Sequence, residues 1–293
     1  MDGLVEQNAR AIERKVTICG LDYAYKSWGH HDAPIILAFH GWLDNANSFD
    51  VVGPILAEKY RVLSFDLMGH GLSGHLPQWR YYHYADVLAD AAELLALWAD
   101  EAPVVLLGHS LGGAVVACLA AMYPEKVSAV VTIDALGPLV GALESLPEKM
   151  AQAALARGRW HKRSPRITAS FSHMVDARMR GEWPITETAA KLLCERGVES
   201  VTGGYRWRAD PRWKSPSVMR LCEAQVQAIL CKIRCPCLLA IAEAGLLQNM
   251  DDFEARKACI PDLRLKTFRG GHHLHMEVDA VPFAQWVMQV LNG

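Results

Sequence analysis

Little in this chain of 293 residues points to a charged partner. Its 30 Lys and Arg stand against 32 Asp and Glu, a formal net charge of −2, so no excess of positive charge draws nucleic acid or an anionic membrane surface. Also missing is any apolar run of the length that crosses a bilayer. Residues 1–8 are polar and lack the apolar centre of a signal peptide. The terminal Leu291-Asn292-Gly293 is not a peroxisomal address. No internal repeat and no low-complexity linker interrupts the chain. Metal-ligand spacing is absent too. Among the eight cysteines, Cys231, Cys235 and Cys237 follow C-x3-C-x-C with no matching Cys/His pair, which is neither a zinc ribbon nor a finger. These absences predict a cytoplasmic protein with free thiols, no metal and no organic cofactor. The expected partner is a small-molecule substrate, with no nucleic acid and no membrane, and the protein is expected to be a monomer or a homodimer.

What is present is core. Hydrophobic residues make up 51% and charged residues 21%, enough to bury a large α/β domain. Alternating segments at 16–18 and 21–26, separated by Cys19-Gly20, predict an antiparallel hairpin. Strands are expected at 34–39, which is continuously apolar as a strand covered on both faces should be, and at 61–66, 103–107, 127–133, 236–242 and 263–268. Helical periodicity marks 48–59, 84–98, 114–122, 218–233, 251–259 and 278–291. Strands alternating with helices imply a mostly parallel, twisted sheet covered by helices on both faces. Between 137 and 216 the strand signals vanish, and Arg, Trp and Met become frequent in amphipathic stretches punctuated by Pro165, Gly181, Pro184, Gly197, Gly203 and Gly204. This reads as an inserted helical cap at 137–216 on a core formed by 1–136 and 217–293.

Ligands of such sheets bind beyond the carboxyl ends of the strands, and His40, Asp66, Ser110 and Asp134 stand at four of them. At one, Gly108-His109-Ser110-Leu111-Gly112-Gly113 joins a strand directly to a helix. That context makes a G-x-S-x-G match a nucleophile elbow, a turn so tight that its flanking glycines must lack a Cβ. Serine needs a base within reach. Gly270-Gly271-His272-His273-Leu274-His275 follows the last strand, where a histidine folds back over the strand ends as the last member of the order Ser…Asp…His. His272 is the choice because it follows the glycine pair. His273 and His275 read as packing or surface residues, and His109 is carried by the elbow away from Ser110. A tetrahedral intermediate needs amide donors fixed in advance. Leu111, after the nucleophile, supplies one, and Trp42 in the His40-Gly41-Trp42 turn supplies the other.

His40-Gly41-Trp42, the stretch Asp66-Leu67-Met68-Gly69-His70-Gly71-Leu72-Ser73, the elbow and Gly271-His272 occur in the order of the α/β-hydrolase superfamily, which the chain resembles over nearly its whole length. The run from His40 to Asp50, with Leu193-Cys194-Glu195-Arg196-Gly197 and Trp207-Arg208-Ala209-Asp210-Pro211-Arg212, is similar to the group called serine hydrolase-like proteins. The resemblance implies an α/β-hydrolase fold with an inserted helical cap, and a structural role for Asp66 and His70. It also implies a triad acid just past strand 236–242, yet that position holds Gly245. A second superfamily position, as in haloalkane dehalogenase-type enzymes, is the strand end carrying Asp134. Asp134 is therefore the expected acid, with Glu243 the runner-up. Asp251 and Asp252 favour their helix's first turn through its dipole.

The function expected on this basis is serine hydrolysis of an ester-type bond through an acyl-enzyme, carboxylesterase-like. Ser110 attacks, His272 moves the proton, Asp134 orients His272, and Trp42 and Leu111 bind the oxyanion. Asp134→Asn should leave folding intact and lower turnover by roughly 10⁴. Dehalogenase and epoxide hydrolase chemistry put Asp where Ser110 stands. Carbon–carbon bond hydrolysis or acyl transfer with the same triad, and a non-catalytic ligand-binding member of the fold, are the alternatives.

Overall fold

Successive side chains of the central strands feed two different cores. In β3 (Ile35–Phe39), Ile36 and Ala38 enter one and Leu37 and Phe39 the other. In β5 (Val104–His109), Val105 and Leu107 oppose Val104 and Leu106. With both faces covered, neither strand has a polar side, which is why each reads as an unbroken apolar run. The computed structural model describes residues 10–141, 144–161 and 166–292. Residues 1–8, Pro165 and Gly293, on which sequence expectations fell, lie outside the described residues.

The further strands are β1 (Ile12–Ile18), β2 (Leu21–Trp28), β4 (Arg61–Phe65), β6 (Val127–Ile133), β7 (Val198–Val201), β8 (Gly204–Trp207), β9 (Cys237–Ala244) and β10 (Leu263–Gly271). Among the described residues, eight of the ten strands form one sheet in the order β1-β2-β4-β3-β5-β6-β9-β10. The β1–β2 and β2–β4 pairs are antiparallel and all other pairs in this sheet are parallel. The helices are α1 (Gly53–Leu56), α2 (Tyr84–Trp98), α3 (Leu111–Met122), α4 (Leu146–His161), α5 (Phe171–Met179), α6 (Glu187–Gly197), α7 (Glu223–Leu230), α8 (Phe253–Ala258) and α9 (Ala280–Leu291). Val87 and Leu94 of α2, Val115 and Leu119 of α3, and Val226 of α7 cover one face. Leu56 of α1 with Phe283 and Val287 of α9 cover the other.

Two expectations fail for local reasons. The single helix expected at 48–59 is instead a 3₁₀ turn, Ala46–Phe49, and the short α1. Asn45 caps the turn by accepting from the Asn47 N–H, and Pro54 sits in the first turn of α1. Proline has no N–H to continue an existing ladder but suits a helix start, so the chain restarts there. The helix expected at 218–233 begins only at Glu223, because Leu221 C=O is taken by Gly141 N–H at 3.1 Å and holds that segment against its neighbour.

The stretch between β6 and α7 is not purely helical, which corrects the sequence expectation. It holds α4, α5, α6 and an antiparallel hairpin of β7 and β8. The turn falls at Gly203 and Gly204, whose φ values of +91° and +142° suit glycine. Met174, Val175, Ala189, Leu193 and Val198 pack together as a small core of their own. Polar side chains then join it to the sheet's strand ends. Asn45 and Asn47 donate to the carbonyls of Leu193 and Leu192, both at 2.8 Å. Arg196 Nε donates to both oxygens of buried Asp66, at 3.0 and 2.8 Å.

Candidate active site

Parallel register brings five strand ends level. Phe39 of β3 pairs with Gly108 of β5, Gly108 with Thr132 of β6, Ile133 with Ala240 of β9, and Ala244 with Gly271 of β10. The residues that follow these ends are His40, Ser110, Asp134, Gly245 and His272. The tertiary structure thus gathers there what the sequence scatters over more than 230 positions.

Ser110 occupies the turn between β5 and α3 with φ +50° and ψ −111°, a conformation that costs energy for any residue with a Cβ. The turn closes only because its neighbours are glycines. A Cβ on Gly108 would lie 2.3 Å from Gly112 O, and one on Gly112 only 1.9 Å from Phe39 O. Ser110 itself is partly exposed, whereas His272 and Asp134 are buried. Leu111 opens α3, where a helix offers its N–H no internal acceptor. Gly112 N–H donates to His40 O at 3.1 Å, which ties the elbow to the turn carrying Trp42. That turn is closed by Asp44 N–H donating to Gly41 O at 3.1 Å, and Leu43 at its centre has φ +62°. Trp42 keeps a half-exposed side chain whose indole N–H donates to Trp213 O at 3.1 Å.

His272 reaches the strand ends through an irregularity in β10. The register against β9 shifts between Phe268 and Gly271, and Gly270 has φ +104°. A bulge of this kind re-aims the side chain after it. His272 Nδ1 lies 2.6 Å from Asp134 Oδ2, which fixes Nδ1 as the protonated nitrogen and leaves Nε2 to accept. Trp183 covers this imidazole, with ring centroids 4.7 Å apart.

Asp134 sits just past β6 with φ +46°. Its Oδ1 accepts from Ala242 N–H at 3.3 Å and its Oδ2 from Leu246 N–H at 2.6 Å. A Cβ at Gly245 would fall 2.2 Å from Asp134 Oδ2. The empty position and the unusual acid are therefore one arrangement: the carboxylate from β6 fills the space a side chain at 245 would need. Glu243, the runner-up acid, is exposed. Asp252 is the N-cap residue of α8.

The other candidates build the frame. Asp66 accepts from the N–H groups of Ala46 and Leu72 at 2.7 and 2.8 Å, besides Arg196. His40 Nε2 accepts from Leu67 N–H at 2.9 Å and His70 Nε2 from Leu43 N–H at 3.2 Å. Both rings are fully buried, and burial lowers their pKa, that of His70 to about 3.

For His273 and His275 the structure selects packing over the surface, and His109 is directed to the His272 carbonyl. All three are buried. His109 Nε2–H donates to His272 O at 2.9 Å. His275 Nε2 lies 2.8 Å from Ser48 Oγ, and His273 Nε2 lies 3.0 Å from Asp44 Oδ2. Asp44 also accepts from Arg178 Nη2 at 2.6 Å. Sequence reasoning missed the pairing of Asp44, which it read only as part of the His40–Asp50 resemblance, with Arg178, which belongs to no motif and lies 134 positions away. Two groups among the described residues bring three metal-ligand atoms together, exposed His30, His31 and Asp32, and buried Asp44, His109 and His273. In the second, the Arg178 guanidinium already supplies the positive charge. All eight cysteines are free.

Comparison with known proteins agrees with this fold. The family described as alpha/beta hydrolase fold matches residues 34–169. A serine hydrolase-like protein of Dictyostelium discoideum is 33% identical over 290 residues, covering 93% of this chain and 79% of the relative. A 2-(acetamidomethylene)succinate hydrolase of Mesorhizobium japonicum is 28% identical over 273 residues, covering 91% and 90%. The crystal structure of a hypothetical protein from Pseudomonas aeruginosa PAO1 superimposes with a TM-score of 0.87 at 34% identity, covering 95% of this chain and 97% of that one. With strand order, elbow and these relatives in agreement, the chain belongs to the α/β-hydrolase superfamily, in the group of serine hydrolase-like proteins.

Proposed function

We propose that the protein is a serine hydrolase that cleaves an ester-type bond of a small organic substrate through an acyl-enzyme. The observation that carries this reading is the 2.6 Å pairing of His272 with buried Asp134, at the level of an elbow that presents Ser110. Asp134 holds His272 in the tautomer whose Nε2 takes a proton, and stabilises the imidazolium that forms. Ser110 Oγ then attacks the carbonyl, and the amides of Leu111 and Trp42 receive the oxyanion. Proton return from His272 Nε2 releases the alcohol, and water repeats the sequence on the acyl-enzyme. The segment 137–216, with Trp183 over His272, acts as the cap that shapes substrate access. The relative named as a succinate-derivative hydrolase supports hydrolysis as the reaction class. Eight free thiols suit the reducing cytoplasm.

A fluorophosphonate probe tests this reading. Labelling of the wild type at Ser110, lost in Ser110→Ala, is the expected result. An unlabelled wild type overturns it. A series of p-nitrophenyl esters of increasing acyl length then reports how deep the site under the cap is.

A further inference from the structure

Three segments converge on the Asp44 carboxylate, which is nearly inaccessible. Arg178 Nη2 of α5 donates to Oδ1 at 2.6 Å, His273 Nε2 lies 3.0 Å from Oδ2, and His109 Nδ1 lies 3.5 Å from Oδ2. Its own backbone N–H closes the 41–44 turn on Gly41 O. Each contact adjoins a member of the proposed machinery. Asp44 lies two residues past Trp42, His273 follows His272, and His109 precedes Ser110 while donating to His272 O.

A buried carboxylate is costly unless a cation and N–H donors answer it. Of the groups facing Asp44, His109 and His273 are themselves pushed toward the neutral form by burial, as is nearby His275. Burial also pushes the Asp44 carboxyl up, but the neighbouring His273 and Arg178 outweigh it and hold it well below the ordinary carboxylate range. The permanent positive charge comes from Arg178, and Arg178 comes from the inserted segment rather than from the sheet.

We propose that Asp44 and Arg178 are positioning residues that form a latch. Arg178, delivered by α5, keeps Asp44 ionised, and Asp44 then fixes the oxyanion turn and the His272–His273 peptide in one register with the elbow. The proposal rests on the hydrolase reading and extends it, because seating of α5 over the site and readiness of His272 become a single event. When Arg178 withdraws, the carboxylate has no cation and His273 Nε2 loses its second neighbour, Arg178 Nη2 at 3.0 Å, so the peptide that joins His273 to His272 is no longer held in register with the elbow.

The test compares Arg178→Met, Asp44→Asn, the double variant and Arg178→Lys in the full chain. kcat and KM on a p-nitrophenyl ester, thermal midpoint and fluorophosphonate labelling are measured together. Misplacement of reacting groups by an ångström costs about 10² in rate. Each single variant should therefore lose about that factor in kcat, with KM within a few-fold of wild type. The double variant, whose pair is neutral, should regain thermal stability but not kcat, and Arg178→Lys should recover part of kcat. If kcat is unchanged in the single variants, or rises with stability in the double, the pair is merely structural and the latch is overturned. Those results leave wild-type labelling at Ser110 intact, whereas an unlabelled wild type overturns the hydrolase reading and the latch together.

Discussion

At the residue scale, the arrangement that most separates this chain from the commoner superfamily pattern is the reciprocity of Asp134 and Gly245. Gly245→Asp alone should inactivate, because its Cβ would meet Asp134 Oδ2 at 2.2 Å. Asp134→Gly tolerates φ +46° at that position and clears the space, so the double change Asp134→Gly/Gly245→Asp moves the acid one strand over. Its kcat/KM should exceed that of Asp134→Gly by at least about 10-fold, given that losing the acid costs about 10⁴. Ester hydrolysis by the three variants checks this. Asp134→Asn should lose about 10⁴ in turnover, but folding will not be untouched. The carboxylate also satisfies Ala242 and Leu246 N–H, and an amide nitrogen facing one of them costs about 1–3 kcal/mol, readable as a shifted urea midpoint.

At the scale of elements, α6 is held to the sheet by its last turn. Arg196 donates to both Asp66 oxygens and to Glu13 at 2.7 Å, and Asp66 in turn positions Ala46 and Leu72. Arg196→Met removes the cation and leaves a buried carboxylate uncompensated, for which the expected loss is about 3–5 kcal/mol. Equilibrium unfolding in urea measures it, and the hydrogen exchange of Ala46 and Leu72 amides should quicken in the same variant. Elements whose pattern is local were legible in advance. Helix 84–98 and strand 127–133 matched their expected bounds, since a 3.6-residue stripe and an apolar run are written in consecutive residues. The β7–β8 hairpin escaped, because its strands are four residues each and only partly buried. That is too short for alternation to stand out from the helical stretches around it.

At the scale of the whole molecule, stability should depend on pH through buried neutral histidines. Burial lowers the pKa of His70 and His109 from 6.5 to about 3, and that of His40 and His273 in the same direction. Below pH 6.5 the unfolded chain binds protons that the folded one refuses, so folding stability rises with pH across this window and is lost as pH falls from 6.5 toward 3. His70 and His109 each contribute a slope of about 1.4 kcal/mol per pH unit. The thermal midpoint is expected to fall steeply between pH 6.5 and 5, before the carboxylates titrate. Calorimetry at pH 8, 6.5 and 5 decides this, and a flat profile across that range would show the histidines to be charged in the native state.

The sequence by itself determined the alternation of strands and helices outside 137–216, the position of Ser110 in a glycine-flanked turn and the gap at Gly245, and it pointed to His272 after a glycine pair. Each rests on neighbours in the chain, where backbone sterics and side-chain period act. The sequence also pointed to Asp134 as the partner of His272, whose contact the structure puts at 2.6 Å; only the tertiary structure decided that this carboxylate occupies the volume glycine leaves at 245 and that Asp44 joins His273 across 229 positions. Such pairings depend on strand order, register and the bulge in β10. They arise from the packing of the whole sheet, and no stretch of the chain carries them alone.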